Sequence, residues 1–188
     1  GARHYLTAAI ERDLTQGGVK LLKYRPEVAP WQFRSNRLRR LHRKLCHVDG
    51  HVAFVGGINI IDDVNTPGQK PPRVDFALRV EGPLLVPIHT TVRRLWTLVS
   101  WASFRRRLRL PATLPVTAEP RGSTRAAFVI RDTLRHRRDI EEAYLEAIGK
   151  AQKEIVLANA YFLPGRRFRQ VLLAAAARGV QVTILLQG

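Results

Sequence analysis

The chain has 188 residues and carries 32 Lys and Arg against 15 Asp and Glu, a net charge of +17. With 45% hydrophobic and 25% charged residues it has the composition of a globular protein, which excludes wholesale disorder and a collagen-like fibre. The positive excess points to phosphate-bearing partners, either nucleic acid or an anionic lipid surface; GC-rich coding DNA explains a preference for Arg over Lys but less of the net charge.

Cys46 is the sole cysteine, so an intrachain disulfide is impossible and a cysteine-based zinc site is not expected. Nothing resembles a signal peptide, and no run of about eighteen apolar residues is free of charge, so no transmembrane helix is expected. The chain begins at Gly1 and contains no Met, from which a processed product or an internal piece of a longer polypeptide is expected.

In chain order, Leu6, Ala9, Ile10 and Leu14 predict a helix over Tyr5–Leu14 that stops at Gly17-Gly18, and Val19–Tyr24 then predicts a buried strand. After a loop marked by Pro26 and Pro30, two β-prone runs, Arg43–Val48 and His51–Val55, flank Asp49-Gly50, a strong hairpin signal. Val74–Val80 alternates and predicts another strand. A helix follows over Leu84–Phe104, with Val92, Leu95, Trp96 and Val99 on one stripe, and it runs into Arg105-Arg106-Arg107.

The stretch 111–125, with Pro111, Pro115, Pro120 and Gly122, predicts a linker between a first domain (1–110) and a second (126–188). Beyond it, Ala126–Ile130 predicts a strand and Asp139–Ala151 a helix capped by Asp139. A strand over Glu154–Ala158, a helix over Arg167–Arg178 and a strand over Val180–Leu186 follow. Helices interleaved with short apolar strands indicate an α/β fold. Gln16-Gly17-Gly18-Val19 and Ala177-Arg178-Gly179-Val180 form an internal echo, both reading as helix, Gly-Val, strand.

The candidate chemistry lies in Leu41-His42-Arg43-Lys44-Leu45-Cys46-His47-Val48-Asp49-Gly50 and Phe54-Val55-Gly56-Gly57-Ile58-Asn59. Residues two apart on a strand share a face, so His42 and Lys44 project together. A neutral imidazole beside an ammonium suits attack on a phosphodiester: the ring nitrogen is the nucleophile, and the cation holds a non-bridging oxygen as charge develops. Asp49 lies at the hairpin turn, where it can orient a neighbour. Gly56 and Gly57 allow backbone to approach a ligand, and the Asn59 amide can donate to a phosphate oxygen. Taken alone, His-x-Lys reads as an exposed basic strand with an ordinary Asp-Gly turn.

The whole pattern, His-x-Lys, four residues, Asp, six residues, Gly-Gly-x-Asn, resembles the HKD signature of the phospholipase D superfamily, with Gly57 where the family often has Ser. Further stretches resemble the bacterial cardiolipin synthases, the B-type branch especially: Arg39–Lys44, the Val80-Glu81-Gly82-Pro83 turn, and Ile155-Val156-Leu157-Ala158-Asn159-Ala160-Tyr161-Phe162-Leu163-Pro164-Gly165. The resemblance implies a sandwich of a mixed sheet flanked by helices, with a first lobe and the start of a second. It implies phosphatidyl transfer between two phosphatidylglycerol molecules through a phosphohistidine, with His42, Lys44 and Asp49 catalytic and Lys44, Gly57 and Asn59 binding phosphate. No metal or organic cofactor is expected. Partners implied are phosphatidylglycerol and cardiolipin, at the cytoplasmic side of a bacterial cell membrane without a spanning segment.

The family uses two HKD motifs, and this chain carries one: neither His47, His51 nor His136 has a Lys at the required spacing. Either it is the middle of a two-lobed enzyme, or a partner copy completes the site. Trp96, Trp101, Arg105, Arg106 and Arg107 are candidate membrane-surface residues, although a core-packed helix explains the apolar stripe slightly better. Two other functions are consistent with the residues. A nuclease of the same superfamily suits the charge, but aromatic residues are few and no nucleic-acid-binding module is recognisable, so nucleic acid is the less expected partner. A non-catalytic basic phosphate-binding module would show salt-dependent binding unaffected by loss of His42.

Overall fold

A computed structural model describes residues 6–24, 41–60, 74–102, 110, 115–132 and 135–186. The chain divides into two compact units, Gly1–Phe128 and Val129–Gly188.

In the first unit, helix α1 (Ala8–Gln16) starts where the Thr7 hydroxyl accepts the Ile10 amide at 3.3 Å. It ends at Gly18, whose φ of 86° closes the helix as the Val19 amide reaches back to the Leu14 carbonyl. The expected strand Val19–Tyr24 does not form: these residues join neither sheet, because an apolar run becomes a strand only beside a free ladder edge.

Strands β1 (Lys44–Val48), β2 (Val52–Gly56) and β3 (Ala77–Val80) make an antiparallel sheet in the order β1-β2-β3. The Asp49-Gly50 turn is the expected hairpin tip, with φ of 51° and 79° and the His51 amide donating to the Val48 carbonyl. Gly50 is required twice over, by its φ of 79° and because a Cβ there would lie 2.2 Å from the Pro115 carbonyl oxygen; its own carbonyl accepts the Thr117 amide at 2.9 Å. The stretch expected as a linker thus packs on the sheet where it is described. Val116 and Phe128 lie against the buried cluster of Ala53, Leu85 and Ile88, and Ala126–Phe128 form no strand.

Gly82, with φ of 85°, turns the chain from β3 into helix α2 (Leu85–Ala102), the Leu85 amide donating to its carbonyl. Leu85, Ile88, Val92, Trp96 and Val99 recur every three or four residues and form the inward stripe, from fully buried Leu85 to half-buried Trp96.

The second unit contains α3 (Asp139–Lys150), β4 (Glu154–Asn159), α4 (Arg166–Ala177) and β5 (Gln181–Leu186). β4 and β5 pair in parallel, Ile155 beside Val182, with α4 as the crossover helix between them. Asp139 does not cap α3: Arg138 occupies that position without a side-chain bond, and Asp139, Glu141 and Glu142 fill the first turn, where the helix dipole favours acids. At the other end of α3 the Arg178 guanidinium donates to the Ile148 and Gly149 carbonyls at 3.3 and 3.0 Å, placing a cation at the carbonyl end of the helix. Ile148, Ile155, Leu172, Ala175 and Val180 form the core.

The internal echo holds at the caps and fails after them. Gly179, with φ of 88°, ends α4 as Gly18 ends α1, and the Val180 amide reaches the Ala175 carbonyl over the same five-residue step as Val19 to Leu14. A strand follows only the second cap. The fold is α/β, and among the described residues each sheet has one polarity, antiparallel in the first unit and parallel in the second.

Candidate active site

The site is built at the open end of the hairpin, away from the Asp49-Gly50 tip. Lys44 opens β1 and pairs with Gly56, the last residue of β2, while His42 lies two residues before β1. The Lys44 Nζ stands 3.1 Å from His42 Nδ1 and 3.0 Å from Nε2, and donates to the His42 carbonyl oxygen at 3.2 Å. The ammonium therefore sits astride the imidazole, and the pair expected from the His-x-Lys spacing is in contact. His42 is exposed and Lys44 half-buried, leaving the imidazole open to a ligand from solvent.

The glycines of Gly-Gly-x-Asn are explained by close approach within the sheet rather than by space left for a ligand. A Cβ on Gly56 would fall 2.3 Å from the Phe76 carbonyl oxygen, and one on Gly57 would fall 2.2 Å from Asp75 Oδ1. The Gly57 amide donates to the Phe76 carbonyl at 2.9 Å, continuing the β2–β3 association beyond the ladder. Asn59 follows, exposed, at the same end of the hairpin.

The carboxylate on Gly57 escaped the sequence reading. Asp75 precedes β3, and its Oδ1 accepts the Phe76 amide at 2.8 Å. The visible signal was an acidic residue at the mouth of an otherwise apolar strand; that this mouth adjoins Gly57 depends on β2–β3 register, in which Gly56 pairs with Ala77.

Asp49 lies elsewhere. The five residues of β1, roughly 17 Å of extended chain, separate it from the His42 end, and its field acts on His47. The His47 ring stacks on His89 of α2, centroids 4.7 Å apart and planes 14° from parallel, and its Nε2 is buried without a hydrogen-bond partner among the described residues. Burial lowers the pKa of His47 below the ordinary imidazole value, against the opposing pull of Asp49. Burial likewise lowers that of His89, assisted by His47 and Arg93. His51 contacts the Thr117 hydroxyl at 2.6 Å through Nδ1.

The stack makes folding pH-dependent with a definite sign. With folded-state pKa values below those of the unfolded chain, both groups contribute stability above the ordinary imidazole pKa, and it is lost as pH falls below about 6.5. The unfolding midpoint is expected to drop between pH 7.5 and 5.5, and to drop less in His89→Phe. Equal pH dependence in the two proteins would count against the stack as its source.

Of the candidate surface residues, Trp96 is half-buried on the inward stripe of α2 and Trp101 is 62% exposed on the other side; Arg105, Arg106 and Arg107 lie outside the described residues. Among the described residues no group of three or more His, Cys, Asp and Glu could hold a metal ion, and no helix is long and apolar enough to cross a membrane.

A family described as "Cardiolipin synthase, PLD-like domain" matches residues 144–188. The chain is 36% identical to cardiolipin synthase B of Shigella flexneri over 176 residues, covering 94% of this chain and 42% of that protein. It is 35% identical to cardiolipin synthase B of Escherichia coli K12 with the same coverage. Against cardiolipin synthase 1 of Bacillus cereus it is 27% identical over 185 residues, covering 94% of this chain and 35% of that protein. The chain thus spans less than half the length of the curated relatives it matches. No solved structure matches.

Proposed function

We propose that this phospholipase D-like chain, similar to cardiolipin synthase B along 94% of its length, carries one of two facing lobes that together move a phosphatidyl group between two phosphatidylglycerol molecules. The observation that carries the reading is the Lys44 ammonium astride the His42 ring, 3.0 and 3.1 Å from its nitrogens, on an exposed edge. A phosphodiester entering there draws the ammonium onto a non-bridging oxygen, which frees an imidazole lone pair for attack and stabilises the charge that attack creates.

In the first half-reaction a His42 nitrogen bonds to phosphorus and the bond from phosphorus to the glycerol oxygen breaks. The leaving oxygen takes a proton from a second imidazole, supplied by a second His-x-Lys lobe of the same polypeptide or of a partner copy. In the second, that imidazole removes the proton from a hydroxyl of another phosphatidylglycerol, whose oxygen bonds to phosphorus as the nitrogen–phosphorus bond breaks. Imidazole and ammonium groups do all of this chemistry. Asn59 donates to the bound phosphate, Gly57 leaves room for the Asp75 carboxylate at the β2–β3 edge, and Asp49 stays at the hairpin tip, away from the nucleophile.

Each lobe is a sheet flanked by helices, and the reaction takes place at the face of a bacterial membrane that displays phosphatidylglycerol. Incubating the complete protein with phosphatidylglycerol vesicles is expected to yield cardiolipin and glycerol in equal amounts and to leave a plasmid in the same tube intact. The +17 charge favours a nuclease as the second reading; plasmid cleavage without cardiolipin would establish it.

A further inference from the structure

Among the described residues, the outward side of the C-terminal half of α2 leaves apolar side chains exposed. Arg94, Leu98 and Trp101 follow one another at steps of four and three residues and make one outward stripe, whose member closest in angle to Trp96, Trp101, lies about 140° around the helix from it. Leu98 is 58% and Trp101 62% exposed, while Ile88 and Val99 on the opposite side are buried. Arg94 is exposed on the same stripe, one turn before Leu98. A helix with buried apolar residues on one side ordinarily turns polar residues outward. Here the C-terminal half turns out a tryptophan and a leucine beside an arginine.

We propose that this stripe is a docking surface for an anionic lipid bilayer, with Leu98 and Trp101 inserted at headgroup depth and Arg94 on lipid phosphate. The indole suits that depth because its ring is apolar and its N–H still finds an acceptor there. Arg94 and the +17 net charge select an anionic surface over a neutral one. The arginines that follow in the sequence lie outside the described residues and are not needed for the surface. The inference deepens the phosphatidyl-transfer reading, on which it rests for the choice of phosphatidylglycerol.

The test uses the complete protein with Trp31→Phe and Trp96→Phe and any tryptophan beyond this chain replaced, so that Trp101 alone emits. With phosphatidylglycerol vesicles the emission is expected to shift to the blue and to be quenched by headgroup-level nitroxide lipid. With phosphatidylcholine vesicles it stays near its solution value. Emission that is already blue and shielded from acrylamide without lipid would show that protein covers the stripe, and overturns the proposal. So does an unmoved emission with phosphatidylglycerol, or an equal shift with phosphatidylcholine.

A second measurement needs no tryptophan replacement: Leu98→Ser with Trp101→Ser is expected to weaken partition onto phosphatidylglycerol vesicles by about ten-fold or more. Unchanged partition overturns the proposal. Cardiolipin formation is assayed in the same samples. Insertion without transfer would refute the reading of the preceding section and keep the surface; transfer without insertion does the reverse.

Discussion

Replacing His42 with alanine in the complete protein is expected to lower phosphatidyl transfer at least about 10³-fold, because the proposed covalent route loses the nitrogen that would bond to phosphorus. The change should act on chemistry and leave folding alone. His42 is exposed, precedes β1, and contributes to neither buried cluster. The unfolding midpoint should therefore match wild type while single-turnover release of glycerol from phosphatidylglycerol disappears. Glycerol release persisting at wild-type rate would remove His42 from the mechanism.

The second large effect belongs to Lys44. Its ammonium touches both ring nitrogens and the carbonyl of His42, so it is placed to meet a phosphate bound at that ring. Lys44→Ala is expected to reduce turnover by about 10²–10³-fold, the usual cost of removing one donor to a developing oxyanion, with most of the loss in kcat rather than KM. Lys44→Arg should recover part of it, because the charge returns on a longer, planar group that cannot sit astride the imidazole. A Lys44→Ala protein with full turnover would show that the ammonium serves the hairpin and not the phosphate.

His42, Lys44 and the Asp49-Gly50 turn are legible in the sequence alone. His-x-Lys spacing puts two side chains on one face of an extended segment, and Asp-Gly between two β-prone runs can do little but turn. Both signals span fewer than ten residues and depend on backbone geometry alone, so they were readable locally. The helices beginning near Leu84, Asp139 and Arg167, and the glycine stops at Gly18 and Gly179, were readable for the same reason.

Other features were settled by contacts between segments far apart in sequence. Val19–Tyr24 has the composition of a strand but finds no edge to join, whereas Val180–Leu186, after an equivalent cap, lies beside β4 and becomes one. Pro115–Thr117 falls within the stretch 111–125 that its prolines and glycine mark as a linker, yet it meets Gly50 and packs on the first sheet. Asp75 reaches Gly57 through the β2–β3 register, and the length of β1 carries Asp49 away from His42, so that its charge is felt by His47. Trp96 and Trp101, five residues apart, part company because helical rotation turns one toward the sheet and leaves the other outside.

By itself, then, the sequence determined which candidate side chains meet at the site, since His42 and Lys44 are two residues apart and need only an extended backbone to come together. The tertiary structure decided what surrounds that pair and which apolar side chains remain outside. Those outcomes depend on strand register and on the faces that remote segments cover, and such contacts are selected by packing across the fold, not by local propensity.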